Sequence, residues 1–200
     1  MKYTYLRNTV IILASLATVL ALQACGSFVV SGAAAGTAVA HDRRTIGTVV
    51  DDQSIKIQIY KGISDDEELF DRSHISVTSY NHVVLIAGQT PTQQMKDRMQ
   101  NIVKNVHGVK EIYNELVLSE PTSLAQRTND TFITAKIKGA LLNITGLKDF
   151  DVTRVTVETE SGVVYLMGLL SEHEANVVTE KVRRVSGVKK VVKLFEYPAK

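Results

Sequence analysis

Apolar residues along the chain change their period in a fixed order, and the order occurs twice. Ile55, Ile59, Gly62 and Ile63 recur at helical spacing, and so do Ile133, Ile137, Ala140 and Leu141. Each stripe is followed by two short runs of alternating pattern. These hold Ile75 and Val77, then Val83 and Leu85, in the first copy; the second has Val155 and Val157, then Val163 and Tyr165. The copies align directly: DDQSIKIQIYKG (51–62) with NDTFITAKIKGA (129–140), HISVTSYNHVVLIAG (74–88) with RVTVETESGVVYLMG (154–168), and NVHGVKEIYNELVL (105–118) with RVSGVKKVVKLFEY (184–197). The period is about 79 residues.

Local signals assign the same elements to each copy. Asp51 or Asp52 is read as the N-cap of the first helix, and Asn129 or Asp130 as its counterpart. Asn81-His82 and Ser161-Gly162 suit tight hairpin turns. Gly88 and Gly168 are read as ending the second strand. A second helix begins near Pro91 in one copy and near Ser171 in the other, where Ser171 and Glu174 have capping-box spacing. Gly108 and Gly187 suit C-caps, and a Val-rich strand closes the unit. The order is α-β-β-α-β, an α+β class. A right-handed β-α-β crossover then gives a mixed three-stranded sheet with two helices on one face. So small a unit buries little, so the copies are expected to dock on one another. The domain reading is 49–118 and 129–198, joined by a linker at 119–128 that holds Pro121 and several polar residues.

The amino end has another character. Lys2 and Arg7 precede the apolar run VIILASLATVLAL (10–22), the layout of an export signal over residues 1–24. The run is shorter than the roughly 20 residues a spanning helix needs. Cys25 follows it in LQACGS and is the chain's one cysteine, which excludes an intramolecular disulfide. Leu22, Ala24 and Cys25 resemble a bacterial lipobox, with Gln23 at its most permissive position. That resemblance implies cleavage before Cys25 and acylation of its sulfur and its new amino group. Gly26 in place of Asp implies transfer to the outer membrane. Two or more acyl chains anchor stably, since each buried methylene contributes about 0.8 kcal/mol. Residues 25–48 read as the lipidated end and a small, Gly/Ala-rich tether.

Without residues 1–24 the chain holds 21 basic and 21 acidic residues, a balance that argues against a general nucleic-acid binder. The distribution is uneven. Residues 51–119 carry seven basic and ten acidic side chains, and residues 127–200 carry twelve and nine. The second copy also breaks its helical pattern. Phe132 stands on the stripe of Lys136, Gly139 and Asn143, where the first copy has Ser54 and Gln58 and keeps the amphipathic rule. An aromatic ring beside Lys136 and Lys138 suits an interfacial membrane contact. The bland alternative is that Phe132 packs against the other copy or the linker.

Units of this length, with a glycine after the second strand and another after the second helix, resemble BON domains. NDTFITAKIKGALL (129–142), VYLMGLLSEHEA (164–175) and RVSGVKKV (184–191) carry the likeness most closely. A lipobox followed by two such units resembles the dual-BON outer-membrane lipoproteins of Gram-negative bacteria. The resemblance implies a lipid-anchored protein on the periplasmic face of the outer membrane, in its inner leaflet. It implies binding of anionic phospholipid, such as phosphatidylglycerol or cardiolipin, by the first helix of the second unit. The residues concerned are Phe132, Ile133, Lys136, Lys138 and Gly139. The family's aromatic at this position is tryptophan, so Phe132 keeps the apolar wedge and lacks the indole N–H. A part in envelope integrity and cell division, and contact with the β-barrel assembly machinery, are implied as well. The rival expectation is a periplasmic protein-interaction adaptor that meets a protein or a peptidoglycan-associated partner through Phe132 and the basic Lys189, Lys190 and Lys193.

No catalytic constellation, cofactor motif or metal-ligand spacing is expected. His74, His82, His107 and His173 are read as loop or surface residues, and the acidic run Asp65–Glu68 as a solvated helix end or loop.

Overall fold

The computed structural model describes residues 43–147 and 150–198. Cys25, the export signal and most of the tether lie outside the described residues. The first repeat runs α1 (Ile46–Ser64), α2 (Glu67–Arg72), β1 (His74–Tyr80), β2 (Val83–Thr90), α3 (Gln93–Lys104), β3 (Glu111–Asn114) and β4 (Val117–Leu118). The second runs α4 (Leu124–Leu142), a 3₁₀ turn (Val152–Arg154), β5 (Thr156–Glu160), β6 (Val163–Leu169), α5 (Glu172–Arg183) and β7 (Lys190–Glu196).

Strands β1 and β2 are antiparallel and β3 joins β2 in parallel; β5, β6 and β7 repeat this arrangement. The expected mixed three-stranded sheet is present in both repeats, and in the first β4 also pairs with β2. Asn81, His82, Ser161 and Gly162 all have positive φ, as a tight two-residue hairpin turn demands. The Ser171–Glu174 capping box is formed at α5.

The starts of α1 and α4 differ from the sequence reading. Thr45 caps α1 and Ser123 caps α4, so both helices begin upstream of the aspartates. α4 therefore begins inside the stretch read as linker. The acidic run divides between two helices, with Asp65 ending α1 and Asp66 capping α2. The glycines also have other reasons. α3 and α5 end at Asn105 and Arg184, ahead of Gly108 and Gly187. Gly88 and Gly168 lie within β2 and β6. A Cβ at Gly88 would run into the carbonyl oxygen of His74, and one at Gly168 into that of Arg154. Two backbones approach too closely there for any side chain.

Each repeat packs its helices on one face of its own sheet. Ile55, Ile59 and Ile63 of α1 meet Met95, Met99 and Val103 of α3 over Val77, Val84 and Ile86. Ile133, Ile137 and Leu141 of α4 meet Ala175, Val178 and Val182 of α5 over Val157, Val164 and Leu166. The other faces of the two sheets meet each other. Tyr80, Val83, Leu85 and Ala87 pack with Tyr165 and Met167, flanked by Val192 and Leu194. The copies are therefore docked, in four layers ordered helix, sheet, sheet, helix. This explains why all eight residues of β2 are buried where alternation was expected.

Candidate functional site

The aspartates expected as caps do a different job. Asp52 is 1% exposed and its carboxylate accepts from Ser79 Oγ at 2.7 Å and from the N–H groups of Asn81 and His82 at 2.8 Å each. Arg44 Nη1 donates to it at 2.8 Å. Asp130 accepts from the N–H groups of Ser161 and Gly162 at 2.9 Å each, and from Gln126 Nε2. Each carboxylate thus ties the first helix of its repeat to the hairpin tip of the same repeat. Buried N–H groups in such turns have no strand partner, so the aspartate supplies the missing acceptor.

With α4 pinned this way and Ile133, Ile137 and Leu141 in the core, its opposite face is outward. Phe132 is 63% exposed, Leu142 70% and Leu124 77%. Ala135, on the same side, is exposed, and the space above Gly139 is open. Lys136 and Lys138 are exposed on either flank of this apolar strip. Lys136 Nζ donates to the carbonyl of Ser186 at 3.1 Å. Phe132 is thus not sealed against the first repeat or the linker. Ile133 is a correction: at 1% exposure it belongs to the core and cannot meet a ligand from outside.

The first repeat departs from its expected pattern as well. Besides Ser54 and Gln58, α1 exposes Ile46, Val50 and Ile57, the last at 69%. The seven-residue spacing of Val50 and Ile57 was the available signal. Tyr60 on the same helix is less free, because its hydroxyl accepts from the N–H of Val77.

A polar network holds the repeats together. Ser76 and Thr78 of β1 donate to Glu158 of β5, and His74 Nε2 lies 3.1 Å from Glu160 Oε1. His74 is therefore a strand residue at the interface between repeats, where the sequence reading had it in a loop or on the surface. Gln89 is 3% exposed; it donates to Glu160 and Ser161 and accepts from Thr122. The N–H of Leu169 donates to the Tyr80 hydroxyl. Arg43 makes two hydrogen bonds to Glu174 and one to the carbonyl of Leu169, whereas its neighbour Arg44 joins Asp52 and lies 3.8 Å from the Tyr80 ring centroid. The two arginines before α1 thus hold one repeat each.

Two carboxylates in this network respond to pH in opposite senses. Burial raises the Glu158 carboxyl above its ordinary range and the charge on Glu160 adds to this, against hydrogen bonds from Ser76 and Thr78. The folded chain therefore holds that proton more tightly than the unfolded chain, and Glu158 favours folding increasingly as pH falls toward its ordinary value. Glu174 is lowered: burial acts against this, but hydrogen bonds from Arg43 and Ser171 outweigh it. Its contribution is present above the ordinary carboxylate range and is lost as pH falls through the lowered value. Glu158→Gln keeps an acceptor and removes a half-buried charge. It is expected to raise the melting midpoint at pH 7.5 by about 2 °C, with the gain vanishing near pH 4 in thermal scans.

Comparison with known proteins bears on what this arrangement belongs to. A sequence model of the BON domain matches residues 51–120 and again 129–199. The chain is 35% identical over 176 residues to the outer membrane lipoprotein DolP of Haemophilus influenzae, covering 88% of this chain and 90% of that one. It is 38% identical over 156 residues to a 21 kDa hemolysin of Actinobacillus pleuropneumoniae, covering 78% and 79%. A third relative, the osmotically-inducible protein Y of Escherichia coli, is 28% identical over 161 residues and 78% of each chain.

Proposed function

Because the chain belongs to the BON-domain family, as an outer-membrane lipoprotein with two such domains, we propose that it binds anionic phospholipid through the outward face of α4. On this reading an acylated Cys25 anchors it in the inner leaflet, facing the periplasm. One observation carries the proposal: a strip of Phe132, Ala135, Gly139 and Leu142 lies open between Lys136 and Lys138. An apolar strip between ammonium groups matches the two-part chemistry of a bilayer surface, with acyl chains below and phosphates above. Burying a phenylalanine contributes about 1.5–3 kcal/mol. Each lysine near an anionic surface adds about 1 kcal/mol. Neither suffices for tight binding, but the anchor holds the strip at high local concentration, so a weak contact is populated. On this reading the protein gathers where anionic lipid is dense, division sites included, and supports envelope integrity there.

Vesicle co-sedimentation with the chain from Gly26 onward, which lacks the anchor, tests this. Binding to phosphatidylglycerol vesicles and not to phosphatidylcholine vesicles is expected. Phe132→Glu should weaken it about 30-fold or more, since apolar burial is lost and a repelled charge is added. Ile57→Glu on the equivalent helix should leave binding unchanged. Undiminished binding by Phe132→Glu, or equal binding to neutral vesicles, defeats the reading.

A further inference from the structure

The second repeat has a built cleft that the α4 strip does not use. It lies between α5 and β7, encloses about 620 Å³, and is lined by Asn176, Thr179, Arg183, Lys189, Lys190 and Lys193 together with Glu180, Val188 and Val191. Glu180, its one acid, is already held by Arg183 at 2.6 Å. Lys189, Lys190 and Lys193 make no ion pair among the described residues. The cleft therefore presents a strong excess of positive charge.

One wall is a strand with a free side. β7 hydrogen-bonds to β6 alone, and its other edge has no strand partner among the described residues. None of its seven residues is buried, whereas five of the seven in β6 are. An open strand edge facing a helix across a groove is the geometry in which an extended peptide adds as a further strand: main-chain hydrogen bonds give affinity and the groove reads alternate side chains. Lysines on such an edge also deter self-pairing, a purely protective role. The first repeat provides a comparison inside the same molecule. Glu111 and Asn114 stand at its positions for Lys190 and Lys193, and Asn114 is engaged with the carbonyl of Lys96. Protection of an edge would serve both repeats alike, yet of the three lysines only Lys189 has a basic counterpart in the first repeat, Lys110, and those at 190 and 193 stand in the second alone.

We propose that the α5–β7 cleft is a docking site for an acidic segment of a partner protein, bound in extended form as an added strand on β7. Backbone groups of the peptide pair with the free edge, and its carboxylates meet Lys193 on the α5 side of the strand and Lys190, three residues away, on the opposite side. This site is separate from the outward face of α4, so a partner and a bilayer can be held together.

Fluorescence anisotropy on the full chain in neutral detergent tests this, with a labelled peptide of repeating Glu-Glu-Val-Val units, which as a strand sets glutamates on both faces. Saturable binding is expected. A Lys190→Glu/Lys193→Glu double variant should weaken it about tenfold or more, by placing like charges across the interface. N-methylation of alternate peptide bonds on the edge-facing side should abolish it, whereas Phe132→Glu and Lys104→Glu should leave it unchanged. Several outcomes overturn the proposal. If the methylated peptide binds equally, the attraction is bulk charge without strand addition. If no peptide binds and the double variant instead self-associates, the lysines only guard the edge. If no peptide binds but the double variant loses phosphatidylglycerol vesicles, the cleft belongs to the membrane contact.

Discussion

Asp130→Ala is expected to destabilise the second repeat by about 3 kcal/mol, because removing a buried charged acceptor leaves its donors without partners. The N–H groups of Ser161 and Gly162 each bond to this carboxylate at 2.9 Å. Both sit at the hairpin tip, where no neighbouring strand can accept from them, and water reaches them poorly beneath α4. Asp130→Asn should lose about half as much, since an amide offers one acceptor oxygen and turns an NH₂ toward the second donor. Asp52→Ala should do the same to the first repeat, where Ser79, Asn81, His82 and Arg44 all converge on one carboxylate. Hydrogen exchange read repeat by repeat is the right measure, because two docked units need not unfold as one. Protection in β5 and β6 that falls by less than about 1 kcal/mol would show that the aspartate is not what secures the turn.

Gly88→Ala is expected to be the most damaging single-methyl change in the first repeat, at about 3 kcal/mol or more. Gly88 has φ +122, a region alanine avoids, and its added methyl would strike the carbonyl oxygen of His74 on the neighbouring strand. That obstacle is backbone, so no rotamer change relieves it. Gly139→Ala is the control: nothing lies within 4 Å of a Cβ there, and the residue is within a helix, so a small gain is expected. Urea unfolding followed by circular dichroism separates the two. Equal stability of the Gly88 and Gly139 variants would mean that the β1–β2 approach is looser than the structure has it.

The order of elements was legible in the sequence because the apolar period switches cleanly between helix and strand, and because a second copy repeated every switch. The docking of the sheets was legible in part. VVLIAG and VVYLMG are continuous apolar runs, the mark of a strand covered on both faces, although alternation was read into them. The starts of α1 and α4 were not legible, although that of α5 was. Thr45 and Asp52 both have cap chemistry, and sequence alone cannot show that one carboxylate reaches across to a turn about thirty residues on. Phe132 stood out because it broke a pattern. Ile133, its neighbour in the same motif, obeyed the core pattern and belonged there. The contacts of Glu158 and Glu160 with His74, Ser76 and Gln89 were out of reach, because they exist only once the two sheets face each other.

Stacking sheet against sheet leaves the molecule with two backs and no front. Whatever touches it from outside must meet a helix or a strand margin, since neither broad pleated surface is on offer. Its outer helix layers look away from each other, so if the proposed contact holds and α4 rests on lipid, α1, with Ile46, Val50 and Ile57, is turned away from the bilayer. On the proposed lipid-binding reading, such a molecule would be a spacer with one greasy side down and another raised for whatever passes above.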